Sequence, residues 1–76
     1  MIKYTPLFEL MKKRGITTYT LIYKYKFSSS FVNRLKHNLP ITTTSIDDLC
    51  NLLDCEPSDI LEYIREEKSS KSIIIE

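Results

Sequence analysis

Apolar positions recur along this chain at helical spacing in five short stretches, and most of the stretches begin or end with residues suited to a helix terminus. In the first, Leu7, Leu10 and Met11 share one face. Thr5 is the expected N-cap, and Pro6 follows at the first helical position, where its missing N–H costs nothing. Gly15, the only glycine, closes the stretch, and Lys12, Lys13 and Arg14 occupy a last turn in which the helix dipole favours cations. The second helix is expected from Thr18 as N-cap to about Tyr25, with Leu21, Ile22 and Tyr25 turned to the core. Lys26-Phe27-Ser28 is a tight connection to a third helix, which Ser28 caps and which reaches about His37. Phe31, Val32 and Leu35 form its apolar stripe, leaving Ser29, Ser30, Asn33, Arg34 and His37 on the other faces.

Asn38-Leu39-Pro40 breaks that helix, and the threonine run 42–44 offers Thr43 or Thr44 as cap of a fourth, with Thr44 and Asp47 spaced like a capping box. Ile46, Leu49, Cys50 and Leu53 recur at i, i+3, i+4 and i+7. A fifth helix is expected from Glu56-Pro57-Ser58-Asp59, with Ile60, Leu61 and Ile64 on its buried side. No strand pattern interrupts the series. The expected fold is all-α, a compact five-helix domain over residues 1–66. A polar linker and short apolar tail follow over residues 67–76, where Ile73-Ile74-Ile75 has the β-branched character of a short terminal strand.

Charge sharpens this picture. Residues 1–40 carry eight bases (Lys3, Lys12, Lys13, Arg14, Lys24, Lys26, Arg34, Lys36) against one acid, Glu9, for +7, whereas residues 41–76 carry three bases against nine acids, for −6; the two give the overall +1. A basic half and an acidic half suit a molecule that turns one face to a polyanion and the other away. Enzymatic chemistry finds no support, because no nucleophile–base pair, glycine-rich loop or metal cluster is present. Asp47-Asp48 and Glu66-Glu67 are adjacent acids that splay apart on a helix. Cys50 and Cys55, with His37 in a distant segment, cannot assemble a four-ligand zinc site and are expected to be free, at least half-buried thiols. No cofactor is expected, and 76 residues leave no room for a small-molecule effector domain. No apolar run approaches the ~20 residues of a membrane span, so a cytoplasmic location with no membrane partner is the expectation.

Two helices joined by a three-residue turn, the second presenting short polar side chains from its N-terminus, can place a helix in the major groove of DNA. Ser28, Ser29 and Ser30 permit close backbone approach, and their hydroxyls can bond phosphates or base edges. The segment from Leu21 to Leu35 resembles the helix-turn-helix of the phage Cro and lambda-repressor family, also called Xre-type regulators. The similarity runs over roughly residues 4–64, since Ile46-Asp47-Asp48-Leu49-Cys50 and the stretch from Leu53 to Leu61 are similar to that family's fourth and fifth helices. The resemblance implies five helices with the motif as the second and third. It puts Ser28, Ser29, Ser30, Asn33, Arg34 and His37 at base-reading positions, Thr18 and Tyr19 where the second helix meets phosphates, and Val32 and Leu35 in the core. Lys24 and Lys36 are expected at the DNA backbone. Ile22 stands where the family usually has a small residue, and Lys26 where it usually has glycine. If Lys26 takes a left-handed conformation, the strain is on the order of 1 kcal/mol.

The reading reached is a sequence-specific double-stranded DNA-binding regulator, a transcriptional repressor of bacterial or phage origin that acts on DNA as a homodimer. The alternative is a protein-interaction module, an adaptor or antitoxin-like partner whose acidic half docks another protein.

Overall fold

The computed structural model describes residues 1–65, which run in the order β1 (Ile2–Lys3), α1 (Thr5–Arg14), α2 (Thr18–Tyr23), α3 (Ser29–Lys36), α4 (Thr43–Leu53), a 3-10 turn (Pro57–Asp59) and β2 (Glu62–Tyr63). Four of the five expected helices are present. The fifth is replaced by the single 3-10 turn, after which the chain extends into β2, antiparallel to β1 with Ile2 opposite Tyr63 and Lys3 opposite Glu62. One turn is enough to bring Ile60 fully into the core, and β1 then offers the following residues a hydrogen-bonding partner that no local periodicity reveals. Ile64, expected on a buried helical side, is instead 40% exposed at the end of the ribbon. The strand that meets the N-terminus is thus Glu62–Tyr63; the linker and Ile73-Ile74-Ile75 lie outside the described residues.

Three helix starts fall one or two residues before the expected caps. Tyr4 holds the N-cap position of α1 without a side-chain bond, so Thr5 is already helical and Pro6 follows it in the first turn. Thr17, not Thr18, caps α2, accepting a hydrogen bond from the Thr20 N–H at 3.2 Å. Thr42, not Thr43 or Thr44, caps α4, accepting from the Ser45 N–H at 3.2 Å. Thr44 is therefore inside the helix and forms no capping box with Asp47. In each threonine-rich start the cap is the residue with another hydroxyl three positions on. Thr17 meets the Thr20 hydroxyl and Thr42 the Ser45 hydroxyl, both at 3.1 Å, a second contact that Thr18, Thr43 and Thr44 cannot make.

The helix ends explain how so short a chain reverses direction. Gly15 (φ 70°) follows α1 with its N–H on the Lys12 carbonyl, while Ile16 N–H bonds the Met11 carbonyl, a Schellman closure that starts the next segment on an apolar residue. Asn38 (φ 56°) does the same for α3, with its N–H on Leu35 and the Leu39 N–H on Arg34. Asp54 (φ 51°) takes the left-handed position after α4, and the Arg14 guanidinium donates to the Leu53 carbonyl, placing a cation at that helix's negative end.

These reversals gather one core. Tyr4, Leu7, Met11, Leu21, Val32, Leu35, Leu49, Leu53 and Ile60 are buried, so every helix contributes, and Phe27 and Phe31, with ring centroids 5.1 Å apart, pack against it. Cys50 and Cys55 are free and half-buried. Burial first, then Cys50 and Asp59, pushes the Cys55 thiol up to about 11. Among the described residues no helix is long and apolar enough to cross a membrane.

Candidate nucleic-acid interface

The candidate surface is built on α3, which is fixed at both ends. Ser28 sits in extended backbone (φ −74°, ψ 154°), and its Oγ accepts from the Phe31 N–H at 3.0 Å, so the helix starts where the sequence predicts. Its inner side carries Val32 and Leu35, both buried, Leu35 fully so. With the inward register set by those residues, Ser28, Ser29, Ser30, Asn33, Arg34, Lys36 and His37 are left in solvent. The first three bring nothing larger than a hydroxymethyl group to the helix N-terminus, where backbone N–H groups and the dipole favour an anion or an acceptor edge.

The far end of α3 is tied to the rest of the domain by Tyr4, which the sequence pattern did not single out, and by Asn38 and Leu39, which it marked only as part of a helix break. Asn38 Oδ1 accepts from the Tyr4 N–H at 3.0 Å, and the Tyr4 hydroxyl donates to the Leu39 carbonyl at 2.6 Å. Tyr4 is 3% exposed, and burial raises its hydroxyl pKa above the usual tyrosine value. Asn38 thus ends the helix and joins it to the chain leaving β1. The only signal for this in the sequence was an asparagine after a helix, a residue tolerant of left-handed backbone. Two of the candidate residues are partly committed: Arg34 Nε donates to the Pro40 carbonyl at 3.1 Å, and His37 Nδ1 lies 2.9 Å from the Asn33 carbonyl. Both bonds hold a side chain near the helix C-terminus while leaving its remaining polar atoms for other partners.

The connection from α2 differs from expectation. α2 ends at Tyr23 rather than about Tyr25, and residues 24–28 link the helices. Lys24 and Tyr25 both direct their N–H to the Thr20 carbonyl, Phe27 directs its own to Leu21, and Lys26 lies between with φ 64°. Lys26 therefore does take the left-handed conformation, in the turn where glycine would carry no Cβ penalty. Tyr25, half-buried, still packs on the core, and the Lys24 ammonium sits 5.6 Å from its ring centroid.

On α2, Thr18 is the first helical residue and half-buried, while Tyr19 is 69% exposed, its ring 4.5 Å from that of Tyr23. The electrostatic setting is one-signed: from Leu10 to Ile46 the chain carries no acid, and Lys24, Lys26, Arg34 and Lys36 are all exposed. A helix with a short polar outer face, flanked by exposed cations, can approach a phosphate backbone closely and read base edges.

Compared with protein-family models, residues 7–66 match the Cro/C1-type HTH DNA-binding domain. No curated protein and no solved structure matches the chain significantly.

Proposed function

Since the chain belongs to the Cro/C1-type helix-turn-helix DNA-binding domain family, we propose that it is a sequence-specific regulator of transcription, a repressor of bacterial or phage origin acting in the cytoplasm as a homodimer on duplex DNA. The observation that carries this reading is the outer face of α3, short, polar and basic, on a helix whose register is fixed by Ser28 outside and Leu35 inside. In the proposed complex Ser28, Ser29, Ser30, Asn33, Arg34 and His37 meet base edges or adjacent phosphates. Thr18, Tyr19, Lys24 and Lys36 hold the backbone. One helix of eight residues reads only a few base pairs, so a second copy supplies the other half-site, about 34–36 Å away along the duplex.

Selection of bound sequences from random duplexes tests this, together with a salt titration on non-specific DNA. The expected result is an enriched two-fold symmetric site and a log K that falls with log salt by ~0.9 per neutralised phosphate. No enriched sequence and a flat salt response would overturn it. That outcome would favour a protein-docking role for the acidic half, where Asp47 and Glu56 rim an apolar groove lined by Ile46, Cys50, Cys55 and Pro57.

A further inference from the structure

On a straight helix Cys50 and Cys55 would not meet, because five positions of separation set two side chains about 140° apart around the axis. The end of α4 changes that. Asp54 takes left-handed backbone (φ 51°), and the Cys55 N–H turns back to the Cys50 carbonyl at 3.1 Å, a six-to-one closure of the helix. Such a reversal sets the two residues it joins side by side, at positions that an apolar pair usually fills. Here both positions carry a thiol, and the two thiols lie in hydrogen-bonding contact.

Their surroundings separate this pair from ordinary packing. Leu49 and Leu53 on the same helix are buried, whereas both cysteines stay half-buried and line an open groove of about 500 Å³ with Ile46, Asp47, Glu56 and Pro57. Among the described residues no three His, Cys, Asp or Glu side chains are placed to hold a metal ion together. The donor set is therefore two sulfurs, which falls short of zinc's four ligands and offers calcium or magnesium no oxygen cage. Two soft thiolates suit an ion that is satisfied by two donors in line.

We propose that Cys50 and Cys55 form a two-sulfur clamp for a soft monovalent metal ion, copper(I). This site stands apart from the DNA-binding reading and does not depend on it, since neither cysteine belongs to the surface built on α3. Binding replaces two S–H bonds by two S–Cu bonds: one Cu⁺ enters, two protons leave to solvent, and the bis-thiolate complex carries one negative charge. No electron is transferred. Asp47 and Glu56 at the groove, with Asp59 near Cys55, attract the entering cation. The Arg14 guanidinium, held on the Leu53 carbonyl and near enough for its charge to act on Cys55, offsets the charge of the complex.

The test titrates the full chain, reduced and free of oxygen, with copper(I) in competition with a chromophoric copper(I) chelator. Native mass spectrometry, X-ray absorption and thermal melts read the same samples, with Cys50→Ala and Cys55→Ala in parallel. Alanine leaves a small apolar group at each position, so the helix reversal keeps its side-chain contact. The expected result is one copper per chain with two sulfur neighbours, a melting temperature raised by the ion, and loss of that binding in each variant. No one-to-one complex, a nitrogen or oxygen ligand at the ion, copper bridging two chains, or binding that survives either substitution overturns the proposal. So does a melting temperature that copper leaves unchanged, because the unfolded chain would then hold the ion as well as the fold does. Zinc(II) retained as firmly as copper(I) overturns it too, since two sulfurs alone do not complete zinc's coordination. The ligands seen in the parent decide the question even where a variant fails to fold.

Discussion

The α2–α3 region and the region formed by α4 with its following turn bury the same kind of residue and expose opposite chemistry. Val32 and Leu35 on one side, and Leu49 and Leu53 on the other, enter a single core. Outside, α2–α3 shows serines, Asn33 and cations, whereas residues 43–61 show Asp47, Asp48, Asp54, Glu56 and Asp59 with no base among them. The inner sides set the fold and are nearly interchangeable in type. The outer sides divide the labour, since only one of them can approach a polyanion without repulsion. Left-handed residues extend the contrast: Asn38 and Asp54, at the ends of α3 and α4, are residue types that tolerate that backbone, and Lys26, inside the turn before α3, is not.

The largest effects test whether the two regions share one core. Leu35→Ala and Leu49→Ala should each cost about 2–5 kcal/mol, read as comparable losses of stability in denaturant titrations. A large loss for one and none for the other would break the picture of a common core and would mean that the register of the silent helix is wrong.

Next in size is the difference between the outer faces. Asn33→Ala should weaken binding to the selected site by about 1–3 kcal/mol with little change in stability, while Asp47→Ala should leave affinity intact or slightly raised. Equal affinities for Asn33→Ala and the parent would remove Asn33 from the base-reading set. Lys24→Ala and Lys36→Ala should instead weaken all sequences alike and make the salt slope shallower by ~0.9 each. Glu56→Ala should not lower the slope. A slope unchanged by either lysine substitution would show that the phosphates run elsewhere on the surface.

The smallest expected effect concerns the turn. Lys26→Gly should stabilise the domain by up to about 1 kcal/mol by relieving the Cβ penalty, and Asp54→Gly should gain less, because aspartate already tolerates its site. A lower melting temperature for Lys26→Gly would mean that the lysine side chain contributes more than its backbone conformation costs.

Much of this molecule was legible in its sequence because the signals were local. The spacing of Phe31, Val32 and Leu35 fixed the inward side of α3, Ser28 marked its start, and those two facts together decide which residues of the candidate interface face solvent. The resemblance of the segment from Leu21 to Leu35 to the Cro and lambda-repressor family pointed the same way, and the family match over residues 7–66 agrees with it. Helix boundaries were less legible: Thr17 and Thr42 won their caps over neighbouring threonines through a second hydroxyl contact three residues on, a competition that single-residue preference does not resolve.

What tertiary structure alone decided lies where distant segments meet. The pattern from Pro57 to Ile64 reads as a helix by periodicity, yet Glu62 and Tyr63 became a strand because β1, some sixty residues earlier, supplied the missing backbone partners. Asn38 and Tyr4 likewise carried no periodic signal, and their bond across 34 positions is what ties the end of α3 to the start of the chain. Helical hydrogen bonds close within four residues and leave their trace in local sequence. A ladder or a side-chain tie closes across the whole chain, so its partners become neighbours only once the core has formed.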